Sequence, residues 1–311
     1  MQNNWNITVV GAGTMGHSIA QVFAVNGFCT TLVDDNPEQL RKAKQLITNN
    51  LDTLLDAGEI TEEQLDLAPS LINYSEDLNS ASESNYIVET VFENPEIKRD
   101  IFSKLDAICS PDAIFTSNTS AMNVFEVADI SNPERLVIAH WFNPPHLIPL
   151  VEIVKGPQTS EKTVETVKML MIQLGKKPAV INQYIPGFIV NRISATIARE
   201  AGYIIAQGWA TPEDIDAAIV QTYGPRFAFE GPLELRDYLG WDISTKVSAF
   251  LLPHLCSNSD PVPLIVDLCN KGWYGVKTGR GLKDYSQTDI SQLQKERTQK
   301  ILKMLKAIKE L

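Results

Sequence analysis

The stretch Ile7-Thr8-Val9-Val10-Gly11-Ala12-Gly13-Thr14-Met15-Gly16 is a short apolar strand that runs directly into three glycines spaced G-x-G-x-x-G, and a helical pattern covers residues 14–26. Each glycine has its own physical task. The first permits a tight turn, the second lets backbone approach a pyrophosphate, and the third lets a helix pack closely on a strand. Thr14 and Met15 fill the gap before the third glycine, where unpaired N–H groups at a helix start attract phosphate. Asp34 closes a second strand pattern, 29–34, eighteen positions beyond Gly16. A carboxylate there accepts bonds from both hydroxyls of an adenosine ribose, and with Asp35 and Glu38 it repels a 2′-phosphate, so NAD is expected rather than NADP. The other use open to Asp34 is to cap the helix that starts near Pro37.

Outward from this loop, strand and helix patterns alternate up to about residue 184. Strands are predicted at 6–10, 29–34, 86–90, 113–117, 135–140, 148–154 and 178–182, and helices at 14–26, 37–57, 97–108 and 160–174. That alternation predicts an α/β fold, a Rossmann-like, doubly wound and mainly parallel sheet. Gln183-Tyr184-Ile185-Pro186-Gly187 breaks the pattern, and helical segments follow at 187–207, 212–221, 241–252 and 261–270, with a Gly-Pro stop at 231–232. The expected domains are therefore 1–184, binding the dinucleotide, and 185–311, all-α. The last twenty residues place Ile301, Met304, Leu305, Ile308 and Leu311 at helical spacing, as in an amphipathic helix docked on its own domain or a second subunit.

The chain has 311 residues, a hydrophobic fraction of 44% and a net charge of −11. A charge of that sign argues against nucleic acid or an anionic membrane as partner, since both need a basic face. No run of about eighteen apolar residues and no basic, apolar leader is present, so a cytoplasmic protein is expected. Cys29, Cys109, Cys256 and Cys269 are scattered without paired spacing, and no metal site is expected. Between Lys44 and Lys98 there is no lysine or arginine, while twelve acids fall in the interval.

The chemistry is expected past the glycine loop. Ser117-Asn118-Thr119-Ser120 and His140-Trp141-Phe142-Asn143-Pro144-Pro145 each follow an apolar strand, at the carboxyl edge where open α/β sheets bind ligands. Glu152 is the only charge in Leu147-Ile148-Pro149-Leu150-Val151-Glu152-Ile153-Val154, and a buried carboxylate needs a partner. His140, twelve residues earlier, is such a partner. Oxidising an alcohol requires a base for the hydroxyl proton, and an imidazole oriented by a carboxylate suits the task. Two readings stay open beside it: a structural histidine, and a Glu152 that satisfies backbone groups or an arginine. His146 is a rival base without an orienting acid. Asn191, alone in the apolar start of the helix after the break, either packs against backbone or holds a substrate oxygen.

These residues resemble the NAD-dependent L-3-hydroxyacyl-CoA dehydrogenase family over almost the whole chain. The resemblance rests on Gly11 to Gly16, Val88-Glu89 through Glu93-Asn94, Ser117 to Ser120, His140 to Pro144, Leu150-Val151-Glu152, Pro186 to Arg192, and Gly275-Val276-Lys277-Thr278-Gly279-Arg280-Gly281. It implies Ser120, His140, Glu152 and Asn191 as catalytic residues. It further implies Glu93, Lys98, Asn118 and Asn143 as contacts to the cofactor's ribose and nicotinamide, and a helical second domain that dimerises. Family members acting on CoA thioesters have a lysine-rich second helix and following segment, where this chain has Asn49 to Glu59 inside its base-free interval. Gly224-Pro225-Arg226-Phe227-Ala228-Phe229-Glu230-Gly231-Pro232 instead resembles the branch containing L-gulonate 3-dehydrogenase (lambda-crystallin), with Arg226 placed to grip a free carboxylate or serving as a structural arginine. The expected reaction is reversible oxidation of the 3-hydroxyl of an L-3-hydroxy acid or its CoA thioester by NAD. The alternative is an NADH-binding protein with a structural or sensing role.

Overall fold

The computed structural model describes residues 5–311; residues 1–4, with which the expected first domain begins, lie outside them. The chain divides into two units between Asn191 and Arg192. The first is built on eight strands: β1 (Ile7–Val10), β2 (Thr30–Val33), β3 (Ile72–Ser75), β4 (Tyr86–Glu89), β5 (Ile114–Ser117), β6 (Leu136–Trp141), β7 (Leu150–Val154) and β8 (Lys177–Ile181). They form one sheet in the order β3-β2-β1-β4-β5-β6-β7-β8. Only β6 and β7 pair antiparallel; every other neighbouring pair is parallel. The strand order reverses at β1, which has β2 on one side and β4 on the other, and such a switch point opens a crevice at the carboxyl ends of the strands.

Helices α1 (Gly16–Val25), α2 (Pro37–Asp56), α3 (Glu62–Leu67), α4 (Pro95–Ile108), α5 (Val124–Val127) and α6 (Glu161–Gln173) accompany the sheet. The central strands read as near-continuous apolar runs because both faces are covered, and Val9, Leu32, Ile87, Val88, Phe115 and Ile138 are fully buried. Three of these elements, α3, α5 and β3, were not among the predicted ones. β3 is an edge strand of four residues in which only Ile72 is buried, so it carries too little apolar pattern to stand out.

In the second unit α7 (Val190–Ala206), α8 (Pro212–Phe227), α9 (Pro232–Leu239), α10 (Trp241–Leu251), α11 (Pro263–Asn270) and α12 (Ile290–Lys309) follow one another. The expected end of α8 at residue 221 is corrected: the helix runs through Gly224 and Pro225 to Phe227, where a proline in the last turns forfeits one backbone donor. The Gly-Pro at 231–232 opens a helix that the sequence reading lacked. Gly231 is the N-cap of α9 and Pro232 takes its first position, where a missing N–H costs nothing. Gly202 lets α7 approach α11, since a Cβ there would stand 2.5 Å from Val262 Cγ1. Among Arg192–Leu311 the buried residues are Gly202, Glu230, Leu235, Ser244, Val262 and Leu302, too few to make a core for about 120 residues.

Candidate active site

The glycine loop has the shape a dinucleotide requires. Gly11 sits at φ +100, and a Cβ on Gly16 would overlap the Gly11 carbonyl, so neither position accepts another residue without a shift of backbone. A Cβ on Gly13 would meet nothing within 4 Å, which leaves that face of the loop open. Helices α2, α4 and α6 are capped by the side chains of Asn36, Asn94 and Ser160, whereas α1 begins without any side-chain cap. Its first N–H groups are thus available to phosphate oxygens. Asn36, not Asp34, caps α2. Asp34 Oδ2 accepts from Ala12 N at 2.7 Å and Oδ1 from Asn36 N at 3.0 Å, each oxygen keeping a lone pair for a ribose hydroxyl. The residues present therefore fit NAD.

Across the switch point, Thr90 Oγ1 lies 2.9 Å from the Val10 carbonyl and 2.8 Å from that of Gly11, which fixes the loop to the end of β4. Next to it an ionic network, buried at Lys98 and Glu89, runs toward Ser120. Lys98 Nζ donates to Glu89 Oε1 at 2.7 Å and reaches Glu93 Oε2 at 3.2 Å. Glu89 also accepts from Val91 N at 2.8 Å and Ser117 Oγ at 2.6 Å. Glu93 in turn accepts from Thr119 Oγ1 and, at 3.1 Å, from Ser120 N. Burial pushes the Glu93 carboxyl up, but the Thr119 hydroxyl and the Lys98 ammonium outweigh it and hold it below the usual range. Asn118 Oδ1 accepts from Trp141 N at 2.8 Å, so the end of β5 is tied to the end of β6. Lys98 is fully buried, while Glu93, Ser120 and Asn143 are exposed.

The antiparallel register of β6 and β7 sets His140 directly opposite Glu152. Directly opposed residues share a sheet face. His140 Nδ1 lies 2.9 Å from Glu152 Oε2, with both residues buried. A carboxylate only accepts, so Nδ1 carries the proton and Nε2 keeps its lone pair. Glu152 Oε1 accepts from Ile189 N and Val190 N, each at 2.9 Å, at the start of α7. Burial pushes this carboxyl up; the bonds from His140, Val190 and Ile189 overcome it and hold it below its ordinary value. Both open readings of Glu152 are thus realised at once, one oxygen for the imidazole and one for backbone. Gly187 (φ +77) and Phe188 (φ +52) are consecutive left-handed residues that turn the chain so these amides face the carboxylate. Phe142 and Phe188 flank the imidazole with ring centroids at 4.6 and 5.4 Å.

Asn191 Nδ2 donates to the Ser120 carbonyl at 3.0 Å. A chain of bonds therefore links His140, Glu152, the start of α7, Asn191 and Ser120, bringing together all four residues that the family pattern singles out. Arg226 lies in α8 of the other unit, where its Nε donates to the Thr222 carbonyl at 3.0 Å. His146 is placed differently from a base: its Nδ1 is 2.7 Å from Ser18 Oγ, and burial, with His17 and Lys176 nearby, pushes its pKa down to about 4. His17 Nδ1 is occupied by the Gly13 carbonyl at 2.8 Å, and burial lowers its pKa too. Sequence reasoning missed Glu89, Ser18 and Lys176. Glu89 alone left a signal, as the single charge closing an apolar strand.

Comparison with known proteins gives the same family in both halves of the chain. The model of the 3-hydroxyacyl-CoA dehydrogenase NAD-binding domain matches residues 6–184, and that of the C-terminal domain matches 187–285. The chain is 33% identical over 299 residues to 5-formyl-3-hydroxy-2-methylpyridine 4-carboxylate 5-dehydrogenase of Mesorhizobium japonicum, covering 96% of each. It is 37% identical over 282 residues to 3-hydroxybutyryl-CoA dehydrogenase of Bradyrhizobium diazoefficiens, covering 90% of this chain and 94% of the relative. A solved structure of the pyridine-carboxylic acid dehydrogenase, described as an NAD+-dependent dismutase, superposes with a TM-score of 0.91 at 31% identity and 98% coverage of both chains. The chain belongs to the 3-hydroxyacyl-CoA dehydrogenase family and is an oxidoreductase whose cofactor is NAD.

Proposed function

We propose that this enzyme reversibly oxidises the hydroxyl-bearing carbon of a small hydroxy acid carrying a free carboxylate, with His140 as the base and Glu152 as its orienting partner. The buried, cross-strand His140–Glu152 pair carries this reading. His140 Nε2 takes the hydroxyl proton, and the Glu152 carboxylate stabilises the imidazolium that forms. NAD, when bound, supplies the hydride acceptor; Gly11, Gly13, Thr14, Met15, Gly16 and Asp34 would hold its pyrophosphate and adenosine ribose, and Glu93, Asn118 and Asn143 its nicotinamide half, whereas the buried Lys98, expected from the family pattern as a direct contact, acts through Glu93. Ser120 and Asn191 place the reacting oxygen.

The free-acid reading is supported by charge. The stretch of α2 from Gln45 to Asp52 carries no cation; of the three before it, Arg41 and Lys42 face Glu38 at 2.6 and 3.9 Å, and Lys44 lies over the Tyr74 ring at 5.9 Å, leaving a single cation without a carboxylate partner. The phosphates of a CoA ester gain little there. Arg226 is the proposed carboxylate partner. The second reading, a 3-hydroxyacyl-CoA thioester, is favoured by the Bradyrhizobium relative. NADH formation from 3-hydroxybutyryl-CoA, 3-hydroxybutyrate, L-gulonate and carnitine under identical NAD decides between them. Arg226→Met is expected to raise KM for a free acid by about tenfold or more through loss of a charge-assisted bond, and to leave a CoA ester within about twofold. Equal effects on both would remove the carboxylate role.

The helical unit further supports a homodimer. Besides its few buried residues it exposes Trp209, Phe229, Leu233, Tyr238, Trp241 and Phe250, more apolar surface than a small unit leaves in water. A second copy of the chain is the proposed cover. Sedimentation equilibrium is expected to give twice the chain mass at micromolar concentration, and a monomer there would refute the assignment.

A further inference from the structure

We propose that Lys176 is a positioning residue for the cofactor: it holds the segment Phe142–Pro149 across the carboxyl edge of the sheet and thereby fixes Asn143, which on the reading above contacts NAD. This segment joins the two strands that carry His140 and Glu152. Pro144, Pro145 and Pro149 deprive it of donors, and it has no ladder of its own. Within it, Leu147 N and Ile148 N both turn back to the Pro144 carbonyl at 3.0 Å. Everything else that holds it comes from outside.

Lys176 Nζ donates to the carbonyls of Pro145 and, at 3.0 Å, Ile148, so one ammonium spans the turn. The same nitrogen lies 5.3 Å from the centroid of the Trp141 ring. On the far side, His146 N donates to Ser18 Oγ at 3.1 Å, and that hydroxyl pairs with His146 Nδ1. Ser18 belongs to the first turn of α1, the helix whose uncapped start would hold the cofactor's phosphates. The segment is therefore stapled between the phosphate end of the cofactor site and the start of β8.

Lys176 is 7% exposed and forms no ion pair with a carboxylate among the described residues. A lone buried cation is costly, and an apolar side chain would fill the space more cheaply. What an apolar chain would not supply is the pair of carbonyl bonds. The root of the lysine is fixed as well: Gly175 takes φ +71 after α6, and Lys176 N donates to the Met171 carbonyl at 2.9 Å. Burial pushes its pKa down to about 8, which leaves the ammonium mostly charged at neutral pH. His146 and His17, the titratable groups nearest on the α1 side, are pushed toward the neutral form.

The test is NADH binding by fluorescence titration on the purified full chain, well below the melting temperature of each variant. Lys176→Met keeps the aliphatic packing and loses both bonds; it is expected to weaken NADH by about tenfold, with Lys176→Gln, whose shorter, uncharged side chain keeps a donating NH2 group, in between. Asn143→Ala separates this proposal from the reading it rests on. If Asn143→Ala binds NADH like the wild type, the Asn143 assignment has failed. If Asn143→Ala weakens binding while Lys176→Met, or Lys176→Gln should the former not fold, stays within about twofold of wild type, the positioning role is overturned. The double variant is expected to bind no more weakly than the weaker single variant; additive losses would place the action of Lys176 elsewhere than on Asn143.

Discussion

Replacing His140 by Ala lowers kcat by about 10²- to 10⁴-fold and leaves NADH affinity within about twofold, because the substitution removes the proton acceptor and no group that holds the dinucleotide. The expectation follows from which histidine nitrogen is free. His140 Nδ1 is committed to Glu152, so Nε2 alone is left to accept a proton. His146, the other candidate, has Nδ1 bound to Ser18 and a pKa pushed down to about 4, which makes it a weak base at neutral pH. His17 gives Nδ1 to the Gly13 carbonyl, and burial lowers its pKa, which weakens it as a base. The ladder between β6 and β7 persists without the imidazole, so the fold gives no independent reason for activity to collapse. Steady-state kcat with a competent substrate and an NADH titration check both halves of the expectation. A near-normal rate would place the base elsewhere.

How much of this the sequence could reveal depends on how local each interaction is. The strand–glycine–helix start and the acid after the second strand are written within about thirty residues, and each position is constrained by its own sterics, so β1, α1 and β2 are legible. The His140–Glu152 pair is legible for a related reason. Twelve positions and a Pro-Pro turn separate the two residues, which lie in successive apolar strands at a hairpin-like spacing, and one charge stands alone in the second strand. The onset of α7 at Val190 rather than 187 is not legible, because it depends on Glu152 drawing the amides of Ile189 and Val190 and on the left-handed pair before them. Nor is the link between Ser18 and His146, which lie 128 residues apart. Lys98 reads from the family pattern as a cofactor contact, yet its burial against Glu89 and Glu93 is a tertiary fact with no local trace.

Glu152→Gln isolates the second member of the pair, and its effect is expected to rival that of His140→Ala, about 10³- to 10⁴-fold in kcat, by analogy with the loss of the orienting acid in a protease triad. An amide has one accepting atom where the carboxylate has two. If the Gln oxygen keeps the amides of Ile189 and Val190, its NH2 faces His140 Nδ1, which must then accept; the imidazole proton moves to Nε2 and the base is gone. If the amide flips to serve the imidazole, its NH2 opposes the part-buried N–H groups of Ile189 and Val190, at a cost of roughly 1–3 kcal/mol for the pair. Either orientation loses activity, but only the second also lowers the melting temperature markedly. Glu152→Ala strips both partners and is expected to cost roughly 2–4 kcal/mol of stability in addition to the rate. Rate and thermal denaturation measured on the same preparations identify the orientation. A Gln variant within about tenfold of wild-type kcat would mean that the carboxylate serves α7 alone and that His140 finds its tautomer without it.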